Sequence, residues 1–261
     1  MLLSKCRFLL LLLLFLPFLA LADAYDDGLS ALVNKDYVHA RQFMRQAAEQ
    51  GDRGAAYELW RLYQNGWGGA HDSAQALQWL LVAAYLELPQ AQYELAEQYA
   101  ERKDIAHAEE HALYWWKAAA SESHPLAYYR LGQAYETGIG TKPDFKQAQA
   151  YYSQAMNYLQ IHAEKGNPEA QFYVASCYEQ GRGVRQNWDS ALAWYKKAGS
   201  NGYTPGLTHT GRLLLLQAKN EAQLQQAAYW LNLAKASGSD LAASLLIEIE
   251  NHDQQKAVVS R

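Results

Sequence analysis

The sequence contains very little cysteine, proline or methionine. Its 261 residues include 2 Cys, 6 Pro and 3 Met, against 19 Tyr and 8 Trp. Cys6 precedes a hydrophobic run near the start of the chain, which leaves Cys177 as the only cysteine in the remainder. We therefore predict a fold without an intramolecular disulfide, stabilised by packing alone. Large, rigid aromatic side chains that interlock at regular intervals are expected to supply that packing.

Long hydrophobic runs are absent after the first 22 residues. Two basic residues precede an apolar run over residues 8–21, and small residues end it at Ala20-Leu21-Ala22. This pattern is typical of a secretory signal peptide that is cleaved after Ala22. The run of about 14 residues is shorter than the roughly 20 that a membrane-spanning helix needs. We therefore predict a signal peptide over 1–22, a periplasmic or secreted protein, and no transmembrane segment after cleavage.

Basic residues are the minority after that cleavage. Removal of residues 1–22 takes away Lys5 and Arg7, which leaves 21 basic against 27 acidic residues and a formal charge of −6. Nucleic acids select basic surfaces. We therefore predict that nucleic acid is not a partner.

The sequence does contain a repeat with a nearly constant period. An Ala-x-x-aromatic core recurs with its first alanine at spacings of 36, 36, 36, 43 and 36 residues, and a second alanine follows seven residues after each first one. Offsets of 0, 3 and 7 share one face of a helix, so we expect the aromatic to fill the gap between repeats. The first alanines are Ala40, Ala76, Ala112, Ala148, Ala191 and Ala227. The aromatics are Phe43, Trp79, Trp115, Tyr151, Trp194 and Trp230.

A second predicted helix precedes each of these, with positions four apart on one side, as in Ala127, Leu131 and Tyr135. Gly-x-Gly turns join the two helices in three repeats, where glycine permits positive φ at a helix end. Aspartates near the start of the next helix are expected to cap it or to favour its dipole. The glycine turns are Gly66-Trp67-Gly68, Gly138-Ile139-Gly140 and Gly181-Arg182-Gly183, and the aspartates are Asp72, Asp144 and Asp189.

The combination Tyr-x-x-Gly-x-Gly-Val, then Ala-x-x-Trp-Tyr-x-Lys-Ala, over residues 178–198 resembles the SEL-one-like repeat, a relative of the tetratricopeptide repeat. The resemblance covers about residues 24–250. It implies an all-α fold, a right-handed α/α superhelix (solenoid) of about six helix pairs with a C-terminal capping helix. The predicted repeats are 23–52, 53–88, 89–124, 125–167, 168–203 and 204–238, followed by a cap over 239–250 and a mobile tail over 251–261.

Two places depart from the pattern. Trp60 stands where other repeats have a small residue, so we expect locally different helix packing. The 43-residue spacing places seven extra residues after Ala155. Seven residues are about two helical turns, so a longer helix that keeps its buried face in register is expected. This extension is either a tolerated lengthening or a ridge that contacts a partner.

The resemblance also suggests where a partner would bind, because the first helix of each pair lines the concave surface in such superhelices. The inner column is the position two residues before the leucine position: Tyr57, Tyr93, Tyr129, Phe172 and Thr208. Aromatic residues and arginine often anchor interfaces, although the same aromatics could serve packing between repeats. The predicted partner-binding residues are Tyr57, Arg61, Tyr93, Glu97, Tyr129, Gln133, Phe172, Ser176 and Arg212.

Catalytic motifs are missing. The sequence has no Gly-x-Ser-x-Gly and no phosphate-binding Gly-x-x-x-x-Gly-Lys. His107 to His111 form a literal His-x-x-Glu-His motif, which on a helix would place both imidazoles on one face. His111 occupies a polar position of the repeat, however, and no third ligand is evident. We predict no catalytic residue, metal or cofactor, and a buried structural thiol at Cys177 with a reactive thiol as the alternative.

Two functional hypotheses follow from the resemblance. The first is an exported, non-enzymatic scaffold that binds a protein or peptide on its concave face, in bacterial envelope assembly, secretion or host interaction. The alternative is a peptidoglycan- or exopolysaccharide-associated protein, with weak hydrolase activity of the kind proposed for cysteine-rich relatives. Those relatives contain a disulfide in each repeat, which this chain cannot form.

Overall fold

A computed structural model describes residues 24–259 of the chain, with side chains described for residues 24–250. Within that range the backbone forms thirteen α-helices and no β-strand, which confirms the predicted all-α class. The helices are α1 (24–33), α2 (Tyr37–Glu49), α3 (Arg53–Gln64), α4 (Ser73–Tyr85), α5 (Pro89–Glu101), α6 (Ala108–Ser121), α7 (Pro125–Thr137), α8 (Phe145–Glu164), α9 (Pro168–Gln180), α10 (Trp188–Ser200), α11 (Thr204–Gln217), α12 (Glu221–Ala236) and α13 (Asp240–Val259).

The helices belong to two compact units. Unit 1 contains the residues up to Ala127 together with Ile139–Thr141, and unit 2 contains Tyr128–Gly138 and the residues from Lys142 onward. Helices that follow one another in sequence pack against each other from α2 to α6 in unit 1 and from α8 to α13 in unit 2. The predicted signal peptide lies outside the described residues, and within them no helix is both long and apolar enough to cross a membrane.

Aspartate and asparagine side chains cap the starts of several helices. Asp72 accepts hydrogen bonds from two backbone N–H groups of α4, at 3.1 and 3.0 Å, and Asp144 accepts one from α8 at 3.0 Å. Both are therefore N-caps, as the sequence predicts. In the fifth pair the N-cap is Asn187 instead, and Asp189 lies in the first turn of α10, where its charge favours the helix dipole.

The Gly-x-Gly turns contain glycines with positive φ. Gly181 ends α9 with φ of +69°, and Gly140 follows α7 with φ of +64°. Glycine adopts this left-handed conformation without the strain that a Cβ atom would add. A Cβ at Gly140 would in addition collide with the backbone carbonyl of Glu109. These turns are therefore framework, as predicted, because they reverse the chain in close contact with a neighbouring helix.

The predicted alanine columns lie at the centre of the core, and each of the six first alanines is at most 1% exposed. The deeply buried large residue, however, lies four residues after each alanine and not three. Of the six aromatic residues that lie three positions after these alanines, Trp115 alone is buried. The aromatics at offset 3 border the core and the residue at offset 4 fills its centre, because offsets of 3 and 4 flank the same helical stripe. The residues at offset 4 are Met44, Leu80, Trp116, Tyr152, Tyr195 and Leu231.

Small residues on the first helix of a pair accommodate these large ones. A Cβ added to Gly132 in α7 would lie 2.5 Å from two ring carbons of Tyr152 in α8. The second pair has Trp60 at the small position, and Leu80 stands there where other pairs carry Trp116, Tyr152 or Tyr195. Trp60 is partly buried, and its ring lies 5.0 Å from that of Tyr57 on the same helix.

The extended helix keeps its buried side. Helix α8 has 20 residues, and the buried face continues through Leu159 to Ala163. The carbonyl of Ala163 accepts a hydrogen bond from Gln171 at 3.0 Å, just as that of Ala84 accepts one from Gln92 at 3.2 Å. Two extra turns are therefore inserted without a change of register, as predicted.

The last helix covers the end of unit 2. Ala242 and Leu246 are buried against Leu207, Leu231 and Ala234. Leu245 and Ile249 are partly buried against the same cluster, so the segment predicted as a cap does cover it. The backbone of α13 is helical to Val259, through most of the segment predicted as a tail, and the side chains of residues 251–261 lie outside the described part.

Candidate functional site

In unit 1, the inner column begins with Tyr57 in α3. Its ring is half-buried and lies 5.0 Å from that of Trp60, at an interplanar angle of 41°. Burial raises the pKa of Tyr57 to about 12; Glu94 adds to the rise, and Arg61 opposes it. Arg61 is exposed and pairs with Glu58 at 3.0 Å, one turn earlier on the same helix. This part of the column therefore presents an aromatic ring and a guanidinium to solvent.

The next pair of unit 1 is more closed. Tyr93 is 8% exposed, and its ring stacks on the imidazole of His124 with centroids 4.7 Å apart. Burial lowers the pKa of His124 to about 4, so the imidazole is neutral at neutral pH. Glu97 is partly buried and accepts a hydrogen bond from the indole N–H of Trp116 at 2.9 Å. Tyr93 thus packs between helices, while Glu97 has one face on the core and one on solvent.

Unit 2 contains a polar cluster around Tyr129, which is 3% exposed. Its hydroxyl is 3.0 Å from Oγ of Ser176 and accepts a hydrogen bond from Nη1 of Arg182 at 2.9 Å. Nη2 of Arg182 donates to Oε2 of Glu136 at 2.6 Å, and the same oxygen accepts from the hydroxyl of Tyr152 at 2.6 Å. The Gly-Arg-Gly turn thus places its arginine between α7 and α8.

A second cluster in unit 2 surrounds Glu179, which is 9% exposed. The carboxylate accepts hydrogen bonds from Arg212 and from the hydroxyl of Tyr195, the latter at 2.7 Å, and His209 lies 3.9 Å away. Burial by itself would raise the pKa of Glu179, but the hydrogen bonds from His209, Arg212 and Tyr195 outweigh it and lower the pKa to about 2. Arg212, predicted as a partner-binding residue, is thus held by this carboxylate.

The remaining members of the inner column lie beside these clusters. Phe172 is partly buried, with its ring 5.4 Å from Tyr195 and 5.1 Å from His209. Thr208 is 4% exposed and donates to the carbonyl of Thr204 at 3.1 Å. Gln133 is partly exposed, and its Oε1 accepts from Arg130 at 2.9 Å.

Three of the nine predicted partner-binding residues are therefore buried: Tyr93, Tyr129 and Ser176. Their side chains contact other residues of the same unit, so in this structure they are buried and do not face a partner. The six that reach solvent at least in part are Tyr57, Arg61, Glu97, Gln133, Phe172 and Arg212. Arg182 and Glu179 were missed; a charged residue inside a Gly-x-Gly turn was the available signal for Arg182.

The His-x-x-Glu-His motif does not lie on one continuous helix. Helix α6 begins at Ala108, and His107 precedes it in the left-handed conformation, with Nδ1 bonded to Glu110. His111 lies over the ring of Tyr99, 5.1 Å between centroids. The shared helical face expected for the two imidazoles is therefore not formed. Within the described residues, no group of three or more His, Cys, Asp or Glu side chains is placed to hold a metal ion.

Cys177 is fully buried in α9. Burial raises the pKa of its thiol to about 12, and the nearby Arg182 opposes the rise. A thiol in this state is neither a nucleophile nor a metal ligand at neutral pH. Its environment is that of a structural thiol, the first of the two interpretations that the sequence allows.

Comparison with known families decides the origin of the repeats. The Sel1 repeat model matches residues 19–52, 54–88, 89–124, 125–157, 168–203 and 221–239. The chain belongs to the Sel1 repeat family. The Sel1 repeat matches stop at residue 157, inside the extended helix α8, and resume at Pro168, where α9 begins. The resemblance seen in the sequence is thereby confirmed, together with the solenoid class.

Solved structures of Sel1 repeat proteins support the same fold. A Sel1 repeat protein from Oxalobacter formigenes is 26% identical, with a TM-score of 0.55, over 81% of this chain and 96% of that one. An immunity protein from Pseudomonas aeruginosa is 19% identical, with a TM-score of 0.51, over 80% of this chain and 82% of its own. The second similarity shows the fold alone. No protein with a curated description matches the chain.

Sel1 repeat proteins generally mediate protein–protein interactions and are generally non-enzymatic. Membership of the family supports protein–protein interaction at this general level. The partner, the cellular process and the binding residues require a proposal.

Proposed function

We propose that this Sel1 repeat protein is an exported, non-enzymatic scaffold that binds a protein or peptide partner through the first helices of its pairs. The observation that carries the proposal is the surface formed by Tyr57 and Arg61, a half-buried aromatic ring beside an exposed guanidinium. A ring that is already held by its own helix loses little conformational freedom on binding, and these two residue types commonly dominate binding energies.

In unit 2 the corresponding surface is formed by Gln133, Phe172 and Arg212, which reach solvent in part. The aromatic contacts around Phe172 and the pairing of Arg212 with Glu179 fix both side chains before a partner arrives. We propose that the buried Tyr129 and Ser176 support these residues by packing inside unit 2, and that Tyr93 has the same role in unit 1. The proposed setting is bacterial envelope assembly, secretion or host interaction, in the periplasm or outside the cell, after cleavage behind Ala22.

Affinity capture tests this function. The chain from residue 23 onward is immobilised and exposed to a bacterial envelope extract, and retained proteins are identified and then purified for direct titration. We expect a partner whose affinity falls at least about 10-fold in a Tyr57→Ala/Arg61→Ala variant, since each hot-spot truncation typically costs about 2 kcal/mol or more. The matched control is Tyr229→Ala/Arg102→Ala, which removes the same residue types from exposed positions elsewhere. Equal loss in both variants would reject the proposed surface.

A peptidoglycan or exopolysaccharide ligand remains the second candidate, because a sugar ring can stack on the same half-exposed Tyr57 ring. Cosedimentation with purified peptidoglycan, using the same two variants, separates the candidates. Retention that depends on Tyr57, without a protein partner that does, would favour the polysaccharide. Release of soluble sugar fragments in the same assay would in addition show the hydrolase activity of this alternative.

A further inference from the structure

Unit 1 has a groove that is lined mainly by its second helices. We name it the α4–α6 groove; its volume is about 300 Å³, and it lies between the end of α4, the start of α5 and the face of α6. Its base is Gln92, and its walls include Tyr85, Tyr114 and Trp115. Glu87 and Glu122 stand at its rim.

The base of the groove holds an acceptor without a donor. Gln92 is 5% exposed, and its Nε2 donates to the carbonyl of Ala84 at 3.2 Å. This bond fixes the orientation of the amide and leaves Oε1 as the acceptor that still needs a donor. Oε1 is buried and has no hydrogen-bond partner in the described part of the chain. A buried amide oxygen without a partner is costly, so a ligand that brings an N–H group here gains affinity.

The walls are suited to a cation. Tyr85 and Tyr114 are 72% and 63% exposed, and both rings meet Trp115 edge to face, at 5.3 and 5.1 Å. Aromatic faces attract ammonium and guanidinium groups. Neither Glu87 nor Glu122 forms an ion pair within the described residues; the nearby Arg53 donates to the carbonyl of Glu87, at 3.0 Å. The groove thus combines a buried acceptor, aromatic faces and two carboxylates.

Unit 2 contains the equivalent groove, of about 520 Å³, in which the chain's own side chains contact the corresponding amide and indole. Its base is Gln171, which occupies in the fifth repeat the position that Gln92 has in the third. Here Nδ2 of Asn201 donates to Oε1 of Gln171 at 2.9 Å. An N–H donor therefore already reaches the amide oxygen in unit 2.

The aromatic wall of the unit 2 groove is likewise occupied. Trp194 has in the fifth repeat the position that Trp115 has in the third. The ammonium of Lys197 lies 4.0 Å from the centroid of the Trp194 ring. An N–H donor and a cation thus occupy the same positions in unit 2 that are open in unit 1.

The residues at the corresponding positions of unit 1 cannot act as the N–H donor or as the cation. Glu122 has the repeat position of Asn201, and Ala118 has that of Lys197. A carboxylate has no N–H to donate to Gln92, and alanine has no charge to place on the indole of the third repeat. Unit 1 therefore lacks, at these two repeat positions, the donor and the cation that unit 2 has.

The two units also differ in net charge. Residues 24–127 contain 15 acidic and 8 basic residues, a formal charge of −7, whereas residues 128–261 contain 11 acidic and 13 basic residues, a formal charge of +2. The groove whose amide oxygen has no internal donor is therefore on the acidic unit, and the groove with an internal donor and cation is on the weakly basic one. Attraction of a basic partner to unit 1 follows from this distribution.

We infer that the α4–α6 groove binds a basic side chain, an arginine guanidinium or a lysine ammonium, of a protein partner. The cation lies against Tyr85 and Tyr114, pairs with Glu87 or Glu122, and donates one N–H to Oε1 of Gln92. The site is separate from the surface around Tyr57, so its test does not depend on the function proposed above.

The experiment uses the chain from residue 23 onward and three fluorescein-labelled peptides, of alternating glycine with arginine, lysine or citrulline. Fluorescence anisotropy at physiological salt gives their affinities. We expect the arginine and lysine peptides to bind and the neutral citrulline peptide to bind at least about 10-fold more weakly, because hydrogen bonds and pairing to a charged group are the main contributions.

The decisive variant is Ala118→Lys/Glu122→Asn, which supplies to unit 1 the groups that unit 2 has at Lys197 and Asn201. We expect about a 10-fold or larger loss of peptide affinity and a higher melting temperature, because Gln92 gains a donor. The control, Ala100→Lys/Glu101→Asn, makes the same charge change at the exposed end of α5, far along the helix from Gln92.

Equal losses in the variant and the control would overturn the proposal, since net charge alone would then explain binding. Tyr114→Ala, at an exposed position, is a second variant that leaves the core intact, and undiminished affinity there would also count against the groove. If an N-acetylglucosamine oligomer displaced the basic peptide, the groove would be a sugar site, and the proposal that it binds a basic side chain would be wrong.

Discussion

Arg182 in the turn after α9 donates to Glu136 near the end of α7 at 2.6 Å, across 46 residues of sequence. Both side chains are largely buried, at 15% and 28% exposed. Removal of the arginine leaves Glu136 and the hydroxyl of Tyr129 without this donor.

We expect Arg182→Met to lower the free energy of unfolding by about 2–3 kcal/mol, the typical worth of hydrogen bonds to a charged group. Urea denaturation followed by circular dichroism measures the change. Arg185→Met, in the same loop but exposed, is the control and should shift stability by less than about 0.5 kcal/mol. Equal effects from the two variants would show that the buried cluster adds nothing specific.

The inner column should divide into supporting and contacting residues. Tyr129→Ala empties a site that is 3% exposed, so we expect a loss of about 3–5 kcal/mol of stability. Tyr57→Ala removes a half-buried ring, and we expect about 1 kcal/mol. Thermal and urea denaturation of both variants test this division. A loss near 3 kcal/mol or more for Tyr57 would make it a packing residue and remove it from the proposed surface.

Acid should weaken unit 2 through Glu179. Its folded pKa of about 2 lies below its ordinary value near 4.3, so the folded state favours the carboxylate. The stabilisation is complete above about pH 4.3 and is lost as the pH falls from there toward about 2. Glu179→Gln should therefore be less stable than the parent at pH 7 and should lose less stability between pH 5 and pH 2, in about the window that linkage sets.

Melting temperatures taken across that range measure the effect. Glu248→Gln, at an exposed position of α13, should keep the slope of the parent. A slope for Glu179→Gln equal to that of the parent would show that this carboxylate does not control the acid response.

Gly140 should tolerate alanine far less than Gly51 does. Both glycines belong to unit 1 and have positive φ, +64° and +95°. Nothing lies within 4 Å of a Cβ added at Gly51, whereas a Cβ at Gly140 meets the backbone of Glu109. We expect about 1–2 kcal/mol for Gly51→Ala from backbone strain alone. Gly140→Ala should cost roughly 1–3 kcal/mol more, because backbone must move. Similar losses in the two variants would mean that the turn adjusts freely.

Local patterns predicted the helices well. The alanine spacing fixed the helix pairs, and Asp72 and Asp144 cap helices as the sequence indicates. A cap bonds to groups two or three residues away, so nearby sequence contains all the information. The capping role of Asn187 in place of Asp189 shows the limit of such a pattern, since two neighbouring residues both suit a helix start.

Long-range contacts were not predictable in the same way. The repeat pattern could not distinguish Tyr151 from Tyr152 as the buried ring, because the neighbour that decides it, Gly132, lies on another helix. Arg182 likewise finds Tyr129 at 53 residues' separation. The division of the inner column into buried and reachable side chains depends on contacts of this kind. Helical periodicity alone gives Tyr57 and Tyr129 the same position.

Cys177 gives unit 2 a built-in chemical reporter. Its thiol is fully buried, and its pKa of about 12 keeps it protonated in the folded state. A thiol reagent can react only when the surrounding helices separate, so the rate of modification measures how often unit 2 opens. The chain from residue 23 onward has no other cysteine. The absorbance change of a chromogenic thiol reagent thus measures local opening of unit 2 without an engineered label.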